Sequence, residues 1–322
     1  DQGTIRVIFS NPNEGSDTLK EHCAVYRIRD LVLDKKIFLI SGGDMESGYP
    51  YLLYDSFLPK ILDYEENIQA IKDAEAIFTQ TEKPYKFLFL NGRIRAHRKY
   101  LLEKFRLDNL LDQSLYTCLD YNDVTINYLN LMHNGQDLIL TPNKIKTLPA
   151  EYEVDRYQAN VDKNITANQS FMTIKHGLFN NEWGEIYLSA KPYIDTYFSL
   201  VTETVFISRH SFRTEKLWKP IAMGHPFIAV SGPGYYSDLK NLGFKTFGHV
   251  IDESFDQIEN NQDRIERIAT VVKDLCSQDL ASFLKECYTV CKYNQQHLVD
   301  MRTKVRQEFP ERFFQFLSER IV

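Results

Sequence analysis

Two stretches of this chain run in the same order: a short apolar run that reads as a buried strand, a loop rich in cations, then a helical pattern. In the first, Lys86-Phe87-Leu88-Phe89-Leu90 leads through Asn91-Gly92-Arg93-Ile94-Arg95 into 97–105, where Leu101, Leu102 and Phe105 share one helical face. In the second, 200–207 leads through 208–213 into 214–223, which Gly224 stops. A strand followed by a crossover helix returns to a parallel neighbour, so the repeated order selects an α/β architecture with parallel sheets.

The rhythm extends to both sides. Residues 4–9 form a β-branched run ending in the turn Ser10-Asn11-Pro12-Asn13, and 36–40 form another, ending at Ser41-Gly42-Gly43-Asp44. The segment 19–29 between them suits a crossover helix. A helix over 65–76, a short strand over 75–79 and a polar break at Thr81-Glu82-Lys83-Pro84 follow, and the break marks a domain boundary. Downstream, 227–230 reads as a buried strand and Gly232-Pro233-Gly234 as a turn. A short helix over 235–242, closed by Gly243, then precedes a strand over 244–247. From 265 to 319 the pattern is helical, interrupted near Ser277 and at Pro310. Residues 120–187, rich in Asn turns, show little periodicity, and no repeat of 20–50 residues occurs.

A folded chain of 322 residues buries roughly three quarters of its extended surface, enough for one large or two ordinary cores. Its five cysteines are odd in number and scattered, which excludes a disulfide framework and points to a reducing, cytoplasmic setting. Cys287 and Cys291, at i,i+4, read as buried thiols on a helix face, without partners at zinc spacing, and no metal is expected. No apolar run reaches the length of a membrane span, and Asp1-Gln2-Gly3-Thr4-Ile5 carries no signal-peptide pattern.

Charge is distributed unevenly. The net charge of −6 argues against general nucleic-acid binding. Yet residues 91–104 carry Arg93, Arg95, Arg98, Lys99 and Lys104 against Glu103, and residues 205–219 carry Arg209, Arg213, Lys216 and Lys219 against Glu215. Both islands lie where a strand gives way to a helix, the edge at which open parallel sheets bind ligands. Cations in a first helical turn oppose the helix dipole by about 0.3–1 kcal/mol each. Two such choices on one sheet edge call for an anion, and a phosphate site is the expectation. The fingerprints Gly-x-x-x-x-Gly-Lys-Ser/Thr, Gly-x-Gly-x-x-Gly and Gly-x-Ser-x-Gly are all missing from the sequence, so side chains would grip the phosphates.

The second island extends into a recognisable segment. Thr202-Glu203-Thr204-Val205-Phe206, then Arg213-Thr214-Glu215-Lys216-Leu217-Trp218-Lys219-Pro220-Ile221-Ala222-Met223-Gly224-His225-Pro226-Phe227-Ile228, then Gly232-Pro233-Gly234, resembles the donor-binding segment of family 10 glycosyltransferases, the α-1,3-fucosyltransferase-like enzymes, and more loosely exostosin-like proteins. The first island looks like the family's earlier strand-loop-helix. Arg95-Ala96-His97-Arg98 and Lys219-Pro220 through Phe227 also resemble phage and bacterial proteins of uncharacterised activity. The resemblance implies a GT-B-like α/β fold of two facing Rossmann-like domains with a helical C-terminal extension. It assigns 1–83 to an N-terminal acceptor domain, 84–300 to a nucleotide-sugar-binding domain, and 301–322 to a helix packing back on the first. Lys219-Pro220 inside the helix and the small N-terminal portion depart from the family pattern.

The chemistry that the resemblance implies is transfer of a sugar from a nucleotide-diphosphate sugar to a hydroxyl of a glycan, protein or other acceptor, with no cofactor and no metal. Arg95 or Arg98, with Arg209 and Lys216, would neutralise the diphosphate, and Glu203 and Glu215 would accept from ribose or sugar hydroxyls. Deprotonation of the acceptor needs a carboxylate on the opposite domain, and Asp44 and Glu46 in the loop after 36–40 are the candidates. His225 reads as a packing residue. Two other readings use the same features: a non-catalytic nucleotide- or anion-binding module, and a phage-type enzyme that glycosylates modified DNA bases.

Overall fold

In a computed structural model of the chain, the described residues are 7–11, 24, 27–34, 36–43, 50–63, 65–92, 95–118, 132–133, 136–137, 148–152, 188–207, 209 and 212–319. In chain order they form β1 (Val7–Asn11), α1 (Arg29–Leu33), β2 (Ile37–Ser41), β3 (Tyr51–Leu53), α2 (Phe57–Asp63), α3 (Glu65–Asp73), β4 (Tyr85–Phe89), α4 (Ala96–Leu107) and β5 (Ser114–Tyr116). Then come the short hairpin β6 (Met132–His133) and β7 (Gln136–Asp137), α5 (Lys191–Ile194), β8 (Thr196–Thr202) and α6 (Glu215–Met223). The rest is β9 (Phe227–Val230), α7 (Tyr235–Asn241), α8 (Asn261–Cys276) and α9 (Leu280–Ser318).

The protein is α/β with parallel sheets. One sheet has the order β1-β2-β3 and a second the order β5-β4-β8-β9, and every pairing within these two is parallel. Strands β8 and β9 of the second sheet are buried on both faces almost throughout, as strands covered on both sides are. Phe87 stacks on Phe198 at 5.5 Å and meets Phe105 of α4 edge-on at 5.7 Å, starting a core that runs through Trp218, Ile228, Leu239, Ile265 and Phe283. Each such side chain removed from water contributes about 1.5–3 kcal/mol. The same core takes in Phe57, Leu58, Ile61, Ala70 and Ile77, which precede the boundary expected at 83.

Helix α9 is 39 residues, about 58 Å long. Its first half buries Phe283, Leu284, Cys287, Cys291 and Leu298 in the core of the second sheet. Its last turns set Phe316 against Phe38 of β2 at 5.9 Å and Phe309 against Tyr54 at 4.5 Å. Between these, Arg302 and Arg306 both pair with Asp63 at the end of α2.

Four local expectations need correction. Residues 74–78 form a 3-10 turn, not a strand: Ala74 and Ile77 are buried at the end of a helix, and among the described residues no strand pairs with them. The strand expected over 200–207 is Thr196–Thr202, because its partner β9 ends at Val230 and the last ladder bond is Glu203 N–H to the Val230 carbonyl. Residues 244–247 are not a strand. Asn294 of α9 stands in for a neighbouring strand, accepting the Lys245 N–H at 2.9 Å and donating to the Lys245 carbonyl at 2.8 Å. Finally, α9 runs through Pro310, which is exposed, where water can satisfy the carbonyl that the missing N–H releases.

Candidate functional site

With β5 beyond β4 on one side and β9 beyond β8 on the other, the chain's connections diverge between β4 and β8. This is the switch point at which open parallel sheets leave a crevice beyond the strand carboxyl ends. Asn91, just past β4, receives the Thr202 hydroxyl on its Oδ1 at 3.0 Å, and its N–H bonds the Thr117 hydroxyl at 2.8 Å. Helix α4 then reaches across. His97 donates from Nε2 to the Glu203 carbonyl at 2.9 Å, and Arg98 donates to the carbonyls of Thr202 at 2.8 Å and Glu203 at 3.2 Å. Both side chains are buried, and His97 stacks on Phe206 at 5.1 Å. Burial and the neighbouring Arg98 hold the His97 imidazole well below its ordinary pKa, so it is neutral.

The second island meets the first through Glu203, which is fully buried. Its carboxylate accepts the Thr214 N–H at 3.1 Å, the Thr214 hydroxyl at 2.7 Å and the Tyr235 hydroxyl at 3.0 Å. Burial pushes the Glu203 carboxyl up, against the pull of Lys216 and the Thr214 bonds. Thr214 is the N-cap of α6: extended in backbone, it accepts the Lys216 N–H, as Thr does at helix starts. Gly224 closes the same helix at φ 65°, in the left-handed region that favours glycine. On the first turn, the Lys216 ammonium lies 2.6 Å from a Glu215 carboxylate oxygen and 3.1 Å from the Thr214 hydroxyl. For Glu215, burial is the largest effect and acts upward, but the charge and hydrogen bond of Lys216 together with Lys219 hold the carboxyl below its ordinary value.

The first sheet also enters this cluster. Asp55, in the turn between β3 and α2, accepts the Trp218 indole N–H at 3.2 Å and the Leu58 N–H at 3.2 Å on one oxygen. Its other oxygen faces Arg213 Nε at 3.6 Å. Burial pushes its carboxyl up to about 6, opposed chiefly by Arg213.

Of the residues singled out in the sequence, the structure brings Arg98, Glu203, Glu215 and Lys216 into one connected group. Arg98 and Glu203 are enclosed and hold the loops in place, and Lys216 is the more exposed cation. Arg95 is partly exposed at the N-cap position of α4. Arg209 is exposed and pairs with Glu259 instead. Asp44 and Glu46 lie outside the described residues, as does Arg93. His225 is buried, receiving the Ser199 hydroxyl on Nδ1 and donating from Nε2 to the Thr196 carbonyl. Sequence reasoning missed Asp55, Arg213 as its partner, and Tyr235. The available signal for Asp55 was an acidic residue just after a strand and just before an apolar helix, where Asp caps the first turn.

Among the described residues no group of three His, Cys, Asp or Glu side chains is placed to hold a metal ion, and no helix is long and apolar enough to cross a membrane. No protein-family model, curated protein or solved structure matches this chain.

Proposed function

We propose that the chain is a nucleotide-sugar-dependent glycosyltransferase with two facing Rossmann-like domains, the donor held by the second sheet. The observation that carries the reading is the connected path Arg98–Glu203–Thr214–Lys216, which joins the two cationic loops at the switch point of a parallel sheet. A diphosphate docked there meets the Lys216 ammonium at the start of α6, with Arg95 in the neighbouring loop. Donor phosphate competes with Glu215 for Lys216, which frees the Glu215 carboxylate for a ribose or sugar hydroxyl.

In the transfer step, the acceptor oxygen bonds to the anomeric carbon as the bond to the diphosphate breaks. The acceptor proton goes to a carboxylate, assigned to Asp44 or Glu46, and the electron pair leaves with the diphosphate, whose charge Lys216 and Arg95 neutralise.

The test is thermal unfolding in the presence of GDP, UDP, CDP and dTDP. Native-state binding at a hundredfold excess over Kd stabilises by about 2.7 kcal/mol. One nucleotide is expected to raise the melting temperature, and failure of all four at millimolar concentration would remove the reading. Binding without turnover over a panel of donors would identify a binding module instead.

A further inference from the structure

We propose that the charge of Asp55 holds the Arg213–Lys216 turn in its donor-binding shape, making Asp55 a positioning residue that ties the first sheet to the site on the second. The proposal rests on the reading of that turn as the donor site.

Asp55 joins the start of α2, where the Phe57 and Leu58 amides face it, to Trp218 and Arg213 far along the chain. The Trp218 indole, on α6 and fully buried, donates to one carboxylate oxygen, while Leu58 at the start of α2 donates to the same oxygen. The other oxygen and Arg213 Nε are both buried, stand about 0.4 Å beyond the ordinary hydrogen-bond range at 3.6 Å, and have no hydrogen-bond partner among the described residues. Phe57 packs edge-on against Phe212 beside them, at 6.4 Å. Arg213 directly precedes the Thr214 cap, so whatever fixes its guanidinium also fixes the start of α6 and Lys216 on it.

A buried carboxylate left ionised beside a guanidinium that it does not hydrogen-bond is a costly way to join two elements. An amide would make the Leu58 and Trp218 bonds equally well. The charge therefore serves Arg213.

Among the described residues, the other titratable groups facing Asp55 are Tyr54 on its own strand end and Tyr235 at the start of α7, both pushed up by burial and so neutral below pH 9. Asp63 and Arg306 act on Tyr54 from further out. Glu203 lies beyond Tyr235 and is also pushed up. Loss of the Asp55 charge near pH 6 would leave Arg213 without its counter-ion and release the turn.

Asp55→Asn separates charge from scaffold, because its Oδ1 keeps both bonds while its Nδ2 faces Arg213, and it leaves Glu203 intact. Two readouts are needed: the indole N–H resonance of Trp218 from pH 5 to 8, and affinity for UDP-glucose, GDP-mannose, GDP-fucose and dTDP-glucose at pH 7.5 and 5. These diphosphate diesters keep both of their negative charges over that range, so the ligand does not titrate. In wild type the resonance should move with a midpoint near 6, and the best donor should weaken roughly tenfold at pH 5. In Asp55→Asn the resonance should stay flat from pH 5 to 8, with weak affinity at both pH values. A wild-type resonance that does not move overturns the proposal without need of any variant, as does equal donor affinity and pH dependence in the two proteins. A resonance that moves in protein that binds no nucleotide sugar at any pH supports the Asp55 contact and removes the donor reading instead.

Discussion

The Glu203 carboxylate takes the Thr214 hydroxyl at 2.7 Å and the Thr214 amide at 3.1 Å, fastening the end of β8 to the cap of α6. The Thr214 hydroxyl in turn accepts from the Lys216 amide and ammonium. A buried carboxyl group thus fixes the geometry of a partly exposed cation. The two carboxylates of the segment have separate tasks: Glu203 builds the turn, and Glu215 neighbours the cation that the turn presents.

Replacing Glu203 by Ala leaves the Thr214 amide, the Thr214 hydroxyl and the Tyr235 hydroxyl without their buried acceptor. A loss of about 3 kcal/mol in unfolding free energy is expected, and Glu203→Gln should lose less. Urea unfolding midpoints measure both. An Ala variant as stable as wild type would mean that the turn is held by other contacts.

Arg98 gives its guanidinium to two backbone carbonyls in a buried setting. Arg98→Met keeps most of the volume and removes the donors, so stability should fall by about 2–3 kcal/mol. The same variant should weaken nucleotide binding through the displaced β8 end, with near-ultraviolet circular dichroism reporting the altered packing.

Lys216→Ala and Glu215→Ala should each lower donor affinity roughly 10- to 100-fold, the scale of one charge-assisted hydrogen bond, with the fold retained. Isothermal titration with the nucleotide found in the thermal screen decides the matter. Unchanged affinity in both variants would contradict the central assignment.

Asp55 also sets a slope of stability with pH. Its folded pKa, about 6, lies above the ordinary 3.8, so the native state holds this proton more tightly than the unfolded chain. Its contribution is full below about pH 4 and is lost as pH rises through 6, a change of about 3 kcal/mol. Between pH 7.5 and 4, wild type should therefore gain about 2 kcal/mol on Asp55→Asn, read from denaturation curves of the two proteins at each pH.

The parallel α/β order was legible because β2, β4 and β9 each hold an unbroken apolar run, 37–40, 87–89 and 227–230. Thr214 and Gly224 likewise announced α6 by its two ends. β8 was misplaced because Thr196, Ser199 and Thr202 break its apolar run, although all three are buried and hydrogen-bonded in the sheet. The 244–247 run has the composition of a strand, and only the long-range bonds to Asn294 show why it is not one. The link from Asp55 to Trp218 spans 163 positions. No local pattern encodes such a pairing, whereas the cationic loops of the site are local features and could be seen.

Helix α9 also dictates an order of events at the ribosome. The face of the first sheet that carries Phe38, Ile40 and Leu52 is covered by Phe316 and its neighbours. Roughly 260 residues are translated between Leu52 and Phe316, which at about 5–20 residues per second takes some tens of seconds. For that interval the nascent sheet shows water an oily face, and a chaperone that shields it until the last turns of α9 emerge would guard a contact that can form only late.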